Sequence, residues 1–351
     1  MPIHGVAHFL QPSDAWKRWN MEYGHQQGPL LEIQTVHVQE QADLLNYLEA
    51  TYGSDWRDRP VLFKNLWNHA SLNNSQRRLS LHGLLQENLT IPYFTDARKY
   101  GALSPDAEAP LHEIMINITQ GAPHKIGTQF LVQTYPELIQ EVAPVELVTQ
   151  LFGRYFEPQY LFGRNGGILP GMTTVPIFVA NGNVKAPNES LPVCQSEQVQ
   201  GSDGNGSCRR HPAPDKEEPL PLERPYTGLH CEPIGNVAVQ LSGAKQWTLV
   251  DPKYSFRLMP SLAPDGRAFY ASWAPSWSHV PRYSTITHAG DAIWVPTWTW
   301  HHVEYVDNDN IAIGASLFHF RPLDFLRRNP LFAILMIPAL IKELTGARVK
   351  Q

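Results

Sequence analysis

The chain has 351 residues, 42% of them apolar and 11% aromatic, and carries a formal net charge of −5. That suffices for one large globular domain or two small ones, and it excludes an overall basic field of the kind that collects a phosphate backbone, so a nucleic-acid partner is not indicated. Three cysteines, Cys194, Cys208 and Cys231, are too few for a disulfide framework and form no CxxC pair of the structural-zinc type; Cys194 and Cys208 share a loop-like stretch and could pair only in an oxidising compartment.

In chain order, residues 1–30 mix Trp16, Trp19 and Tyr23 with polar residues and show no period. They have neither the basic nor the apolar region of a signal peptide. Gln39–Tyr52 reads as an amphipathic helix with Leu44, Leu45 and Leu48 on one face, and Arg59–Phe63 as a short buried strand. A helix is predicted over Leu79–Asn88, strands over Ile91–Phe94 and Glu113–Ile118, and helix again over Tyr135–Phe152, broken at Pro144. This is an N-terminal α+β lead-in over 1–150. Val175–Val179 opens a region of strands. Residues 183–225, rich in Pro, Ser, Gly, Asn and charge, cannot bury enough surface to form core and are predicted to be a flexible insertion acting as a lid or substrate-selecting loop, or else a spacer.

Beyond it, strands are predicted at Asn236–Leu241, Lys245–Val250, Ser284–His288, Ala292–Val295, His301–Val306 and Ile311–Phe320, with Gly and Pro between them, as in a β-barrel or sandwich over 151–322. Leu331–Ile341 is the one long apolar run. It is too short to span a bilayer and is interrupted by Pro338, so it predicts a C-terminal helix within 323–351 that packs on the domain or on a partner subunit, with an interfacial anchor as the alternative.

His-x-Asp/Glu occurs twice, as His230-Cys-Glu232 and His302-Val-Glu304, no more often than composition allows. Context separates the two. Residues two apart on a strand share a face, so His230 and Glu232 can both aim into a barrel. Gly243-Ala244 suits a tight hairpin joining the flanking strands, and in that register Ser242 lies opposite Lys245, Gln240 opposite Trp247 and Ala238 opposite Leu249. Asn236, Gln240 and Lys245 then share a face. A lysine pointing into a barrel beside Asn and Gln is costly unless it binds an anion, which predicts an acidic cosubstrate. A second histidine must come from His301-His302, whose side chains face opposite ways, so only one of them can be a ligand. Two His and one carboxylate with open positions suit a non-haem Fe(II).

These residues resemble the Jumonji C (JmjC) branch of the cupin superfamily, the Fe(II)- and 2-oxoglutarate-dependent oxygenases, in particular protein hydroxylases of the hypoxia-inducible-factor asparaginyl hydroxylase type. The resemblance rests on Thr227, Asn236 and Lys245 at the family's offsets from His230, and on Gly290-Asp291 with Pro296 ahead of the second histidine. It covers residues 173–322 and, more loosely, 60–172. It implies a mainly β fold, the double-stranded β-helix or jelly-roll barrel. It makes His230, Glu232 and His301 the metal ligands, with His302 facing outward. Lys245 and Thr227 would hold the far carboxylate of 2-oxoglutarate, beside Asn236 and Ser316. Glu232 stands where the hydroxylase branch usually has Asp, and Ser316 where the nearest relatives have a second Asn. The implied reaction is a dioxygenase hydroxylating a protein or peptide side chain with O₂, releasing succinate and CO₂. The alternatives are histone-lysine demethylation, a non-redox metal-binding cupin, or a catalytically impaired binding module. Trp294, Trp298 and Trp300 read as packing residues. Five Asn-x-Ser/Thr sequons, at Asn73, Asn88, Asn117, Asn188 and Asn205, favour the secretory pathway, whereas the N-terminus favours the cytoplasm, the compartment preferred here. A homodimer through the C-terminal helix is implied by the same resemblance.

Overall fold

The computed structural model describes residues 27–38, 43–67, 77–98, 105–152, 175–184, 224–263, 269–274 and 277–344. Most of the 183–225 insertion, with Cys194, Cys208 and the sequons at Asn188 and Asn205, lies outside the described residues, as do Asn73 and the expected start of the first helix.

The described chain opens with β1 (Leu30–Leu31), β2 (Gln34–His37) and α1 (Leu44–Tyr52). Asp43 caps α1, its carboxylate accepting from the Asn46 N–H at 3.1 Å, which satisfies one of the orphan donors of a first helical turn. Then come β3 (Val61–Lys64), α2 (Leu81–Gln86), β4 (Thr90–Phe94), β5 (Ala107–Pro110), α3 (Leu111–Thr119), β6 (Lys125–Thr128), α4 (Phe130–Thr134), α5 (Ile139–Val142), α6 (Val145–Phe152) and β7 (Ile177–Ala180). The strand expected at Glu113–Ile118 is therefore helix. Leu111, Ile114, Met115 and Ile118 recur at helical spacing and are the buried residues of α3, so the 3.6 period, set in motion just after Pro110, overrides the β-branched content.

Past the insertion run β8 (Tyr226–Cys231), β9 (Gly235–Ser242), β10 (Ala244–Val250), β11 (Pro260–Leu262), β12 (Tyr270–Ser272), β13 (Arg282–His288), β14 (Ala292–Val295), β15 (Trp300–Tyr305) and β16 (Ala312–His319), then α7 (Pro322–Arg328) and α8 (Pro330–Leu344). They form two sheets. One has the order β1-β13-β10-β15-β8-β12-β11, the other β2-β3-β14-β9-β16-β7-β6-β4-β5. The strands β7, β8, β9, β10, β13, β14, β15 and β16 divide between the two facing sheets, with β13-β10-β15-β8 opposite β14-β9-β16-β7. This is the expected double-stranded β-helix, a mainly β jelly roll. The N-terminal strands extend the second sheet on both sides.

One sequence expectation fails at the join of β9 and β10, which do not pair. β9 pairs with β14 and β16, and β10 with β13 and β15. Gly243 is a corner where the chain passes from one sheet to the other. It has φ 65°, and a Cβ there would lie 2.8 Å from the Ala312 Cα, so glycine is needed for conformation and for space. Asn236, Gln240 and Lys245 nevertheless all face the interior, because each strand alternates correctly within its own sheet.

Three apolar layers hold the barrel. Outside the larger sheet, Leu48, Met115, Ile118, Leu151 and Phe152 from the helices pack on Val61, Phe63, Val237, Val239 and Trp294, with the Phe152 and Trp294 ring centroids 4.5 Å apart. Ala238, Trp247, Leu249, Ile293, Val295 and Val303 fill part of the interior. Outside the smaller sheet, Phe325, Phe332, Ala333 and Met336 from α7 and α8 cover Leu229, Cys231, Tyr270, Trp298 and Trp300, and Phe332 stacks on Tyr270 at 4.0 Å. Trp294, Trp298 and Trp300 are fully buried packing residues, as expected. No helix among the described residues is long and apolar enough to cross a membrane.

Candidate metal centre and its pocket

The rest of the barrel interior is a cavity of about 600 Å³ between the two sheets, lined by His230, Glu232, His301, Thr227, Asn236, Lys245 and Ser316 among others. All seven residues singled out in the sequence therefore reach one cavity. One ligand atom from each of His230, Glu232 and His301 can be chosen so that all three lie within 4.8 Å of one another.

Local backbone geometry brings them there. His230 and His301 are directly opposite across the β8–β15 pair, and their ring centroids are 4.1 Å apart. Thr227 is an odd number of residues from His230, so strict alternation would turn it away. The pair register jumps from His301↔His230 to Val303↔Thr227, so β8 carries one extra residue, and this bulge returns Thr227 to the cavity face. Ahead of β15, Trp298 adopts a left-handed conformation, φ 63°, uncommon for so bulky a residue. Its backbone N–H donates to the Glu232 carbonyl at 2.9 Å, and its indole donates to the Phe325 carbonyl at 2.9 Å. Trp298 thus ties the chain leading to His301 to the backbone of Glu232.

The Gly290-Asp291 turn has a different job. Asp291 is buried and accepts from the His288 N–H at 2.9 Å, the Asn65 N–H at 3.2 Å and the Lys64 ammonium. It fixes β3 to the start of β14 and does not reach the cavity.

The histidines are prepared as ligands. His230 Nδ1 lies 2.7 Å from the Gly228 carbonyl oxygen and His301 Nδ1 3.1 Å from that of Thr299. A carbonyl only accepts, so each Nδ1 carries the proton and each Nε2 presents the lone pair that can ligate a metal. Burial drives the His301 pKa down to about 4, against a smaller upward pull from the Thr299 carbonyl, so the ring is neutral at pH 7. Its neighbour His302 faces outward, as expected. It bonds Glu304 at 3.0 Å and lies against the Tyr226 and Trp277 rings. Two neutral imidazoles and one carboxylate are a donor set that fits a divalent transition metal. The Asn236 Oδ1 is buried without a hydrogen-bond partner, an orphan acceptor pointing to an occupant that supplies a donor.

Residues 223–315 match the family model of the cupin-like domain. Over this stretch the chain is similar to the cupin-like domain. The match spans β8 to the first half of β16 and includes all three candidate ligands. No curated protein matches the chain.

Within the cavity, Lys245 is 4% exposed. Its ammonium lies 5.0 Å from the Tyr305 ring centroid and 5.5 Å from that of Phe178. Burial, and next the charge of Lys125, press its pKa down to about 7. Lys125 was not recognised in the sequence. It is 2% exposed, lines the same cavity, and its ammonium is 3.3 Å from the Thr227 hydroxyl. No local pattern marks it, because the residue it meets lies 102 positions along the chain.

Proposed function

We propose that the protein is an Fe(II)- and 2-oxoglutarate-dependent dioxygenase of the JmjC type that hydroxylates a protein side chain. The observation that carries this reading is the meeting, in one cavity, of the His230, Glu232 and His301 donors with the buried Lys245 ammonium. A non-redox metal-binding cupin has no need of a buried cation aimed into its metal pocket. An acidic cosubstrate does, because burying an ammonium without a partner is costly.

In this reading His230 Nε2, a Glu232 carboxylate oxygen and His301 Nε2 hold Fe(II). When bound, the ion supplies the activation of O₂ that no side chain can provide. The chain's own residues bind, orient and shield. Lys245 pairs with the far carboxylate of 2-oxoglutarate, and the Thr227 hydroxyl donates to the same group; charge-assisted bonds of this kind are short and strong in a dry site. Asn236, its Oδ1 unpaired, accepts from the cosubstrate or from a water that the metal holds. Gln240 donates to the Ser242 and Ile313 carbonyls at 2.6 and 3.2 Å, closing the inner wall beside Lys245. Ser316, smaller than an asparagine, leaves room beside Asn236. Phe269, whose ring centroid is 5.9 Å from that of His230, screens the metal side of the cavity from water.

Glu232, just past the C-terminal end of β8 and half-buried, reaches the histidine pair in place of the shorter Asp, so the departure in sequence does not disperse the donor set. Hydroxylation and lysine demethylation are separated by incubating the enzyme, Fe(II), 2-oxoglutarate and ¹⁸O₂ with a peptide library. We expect products heavier by one labelled oxygen atom. Release of formaldehyde with loss of a methyl group would move the assignment to a demethylase.

A further inference from the structure

The strand registers set the two ends of the cavity apart. β6 pairs with β7 as Thr128↔Ile177, β7 with β16 as Ile177↔Ala315, and β16 with β9 as Phe318↔Asn236. β6 and β16 therefore run the same way and finish where β9 begins. That is also the metal end, because the chain enters β9 directly from Glu232. Lys245, at the start of β10 after β9 has crossed the sheet, lies toward the opposite end. Three apolar residues that line the cavity gather at the metal end: Phe130 just past β6, Ile234 just before β9, and Phe318 near the close of β16.

Phe130 is 41% exposed, the most open of the described residues that line the cavity. Its backbone N–H donates to the Thr128 hydroxyl at 3.1 Å, and Thr128 is itself buried, so a local side-chain-to-backbone bond fixes the turn that carries the ring. Ile234 and Phe318 are half-buried. A single exposed phenylalanine calls for no explanation. One that is continuous with other apolar groups in the wall of a metal pocket has the character of a preformed ligand site. Among the described lining residues that are not fully buried, Glu232 alone is charged, and it belongs to the donor set.

We propose that Phe130, with Ile234 and Phe318, forms an apolar seat at the mouth of the metal pocket that receives a hydrophobic side chain flanking the hydroxylated residue of a neutral peptide segment. The proposal rests on the functional reading above and names its substrate class. The occupant follows from the seat's continuity with the metal pocket: a peptide that presents one side chain to the metal must lay its neighbours on the rim. An aliphatic or aromatic neighbour covers the Phe130 ring and removes both surfaces from water. The ordered turn at Thr128 means that little conformational freedom is lost when it does so. A lysine-rich segment meets no described carboxylate there beyond the metal ligand, so the seat favours neutral sequences over basic tails.

The test supplies the full chain with Fe(II), 2-oxoglutarate, ¹⁸O₂ and a library of random decapeptides, and sequences the labelled products by mass spectrometry. Leu, Ile, Met and Phe should be enriched within about two residues of the labelled one, the spacing of same-face neighbours in an extended chain. For a peptide chosen in this way, Phe130→Ala should raise KM about tenfold and hold kcat within about two-fold, while Phe130→Leu keeps most of the affinity. Replacing the peptide's hydrophobic residue with alanine should cost wild type the same factor and cost Phe130→Ala little, because the two changes remove one contact. Melting temperatures show that each variant is folded, and Ile234→Ala carries the comparison if Phe130→Ala is not. Labelled peptides without apolar enrichment, labelled peptides enriched in Lys or Arg, or a wild-type KM in Phe130→Ala would overturn the seat and leave the oxygenase reading standing. Fe(II)-dependent succinate with no labelled peptide would overturn the seat and the choice of a protein substrate together. Absence of Fe(II)-dependent succinate from the metal-loaded wild type would overturn the functional reading itself, and the seat with it.

Discussion

His301 and His302 are adjacent and chemically identical, yet only one can serve the metal. The Nδ1–H of His301 is committed to the Thr299 carbonyl at 3.1 Å, while His302 turns to Glu304. We therefore expect His301→Ala and His230→Ala each to abolish stoichiometric Mn(II) or Fe(II) binding, and His302→Ala to leave it unchanged, measured by metal analysis after desalting. Equal loss in all three would show that the cluster is not the metal site. Lys245 gives a second test at this scale. Its folded pKa of about 7 lies below the 10.5 of a free lysine, so between those values the unfolded chain holds more protons. The ligand-free protein is relieved of this penalty as pH rises through the window. Anion binding works in the opposite sense, because it needs the ammonium. At pH 8 it should take up a proton, seen as a dependence of the binding heat on buffer ionisation enthalpy, and affinity should fall by up to about tenfold per pH unit above 7. Affinity independent of pH from 7 to 9 would mean that Lys245 is not the anchor.

At the scale of elements, two small features decide what enters the cavity. The bulge in β8 turns Thr227 inward, and Gly314 on β16 makes room for Lys245. A Cβ at Gly314 would lie 2.7 Å from the Lys245 Nζ and 3.0 Å from the Val239 carbonyl oxygen; the lysine end can move, but the backbone cannot. Gly314→Ala should therefore push the ammonium out of line, weakening 2-oxoglutarate about tenfold or more with metal binding unchanged. A variant that binds 2-oxoglutarate normally would contradict that placement of Lys245. Elements also show where sequence reading succeeded. Strands from Asn236 to Phe320 were legible because β-branched and aromatic runs are punctuated by Gly and Pro, and Asn236 and Lys245 were legible because a buried polar residue at a fixed offset is rare. The bulge was invisible, since alternation alone turns Thr227 away. The β9–β10 join was misread, because a glycine with φ 65° serves a corner between sheets as well as a hairpin. The helix at Leu111–Thr119 was missed because its β-branched residues masked the helical spacing. Lys125 was missed because only the tertiary pairing of β6 with β7 brings it to Thr227.

At the scale of the whole molecule, α8 has two apolar faces. Phe332, Ala333 and Met336 close the outer face of the smaller sheet, while Leu331, Ile334, Ile337 and Ile341 are exposed at 45%, 62%, 44% and 54%. We propose that this second stripe pairs with another copy of the chain, as the resemblance to the protein hydroxylases implies. The double substitution Ile334→Glu and Ile337→Glu, which leaves the buried face intact, should convert a dimer to a monomer in sedimentation or light scattering without lowering the melting temperature of the barrel. A wild-type monomer at high concentration would remove the proposal. We propose that the barrel, its donor set and its buried Lys245 together make an oxygenase. The most direct measurement is succinate release from 2-oxoglutarate by the purified protein, with and without Fe(II), beside the His230→Ala variant. We expect succinate that requires Fe(II) and O₂ and disappears in the variant; no Fe(II)-dependent succinate from a wild-type protein that holds its metal and binds 2-oxoglutarate would contradict it.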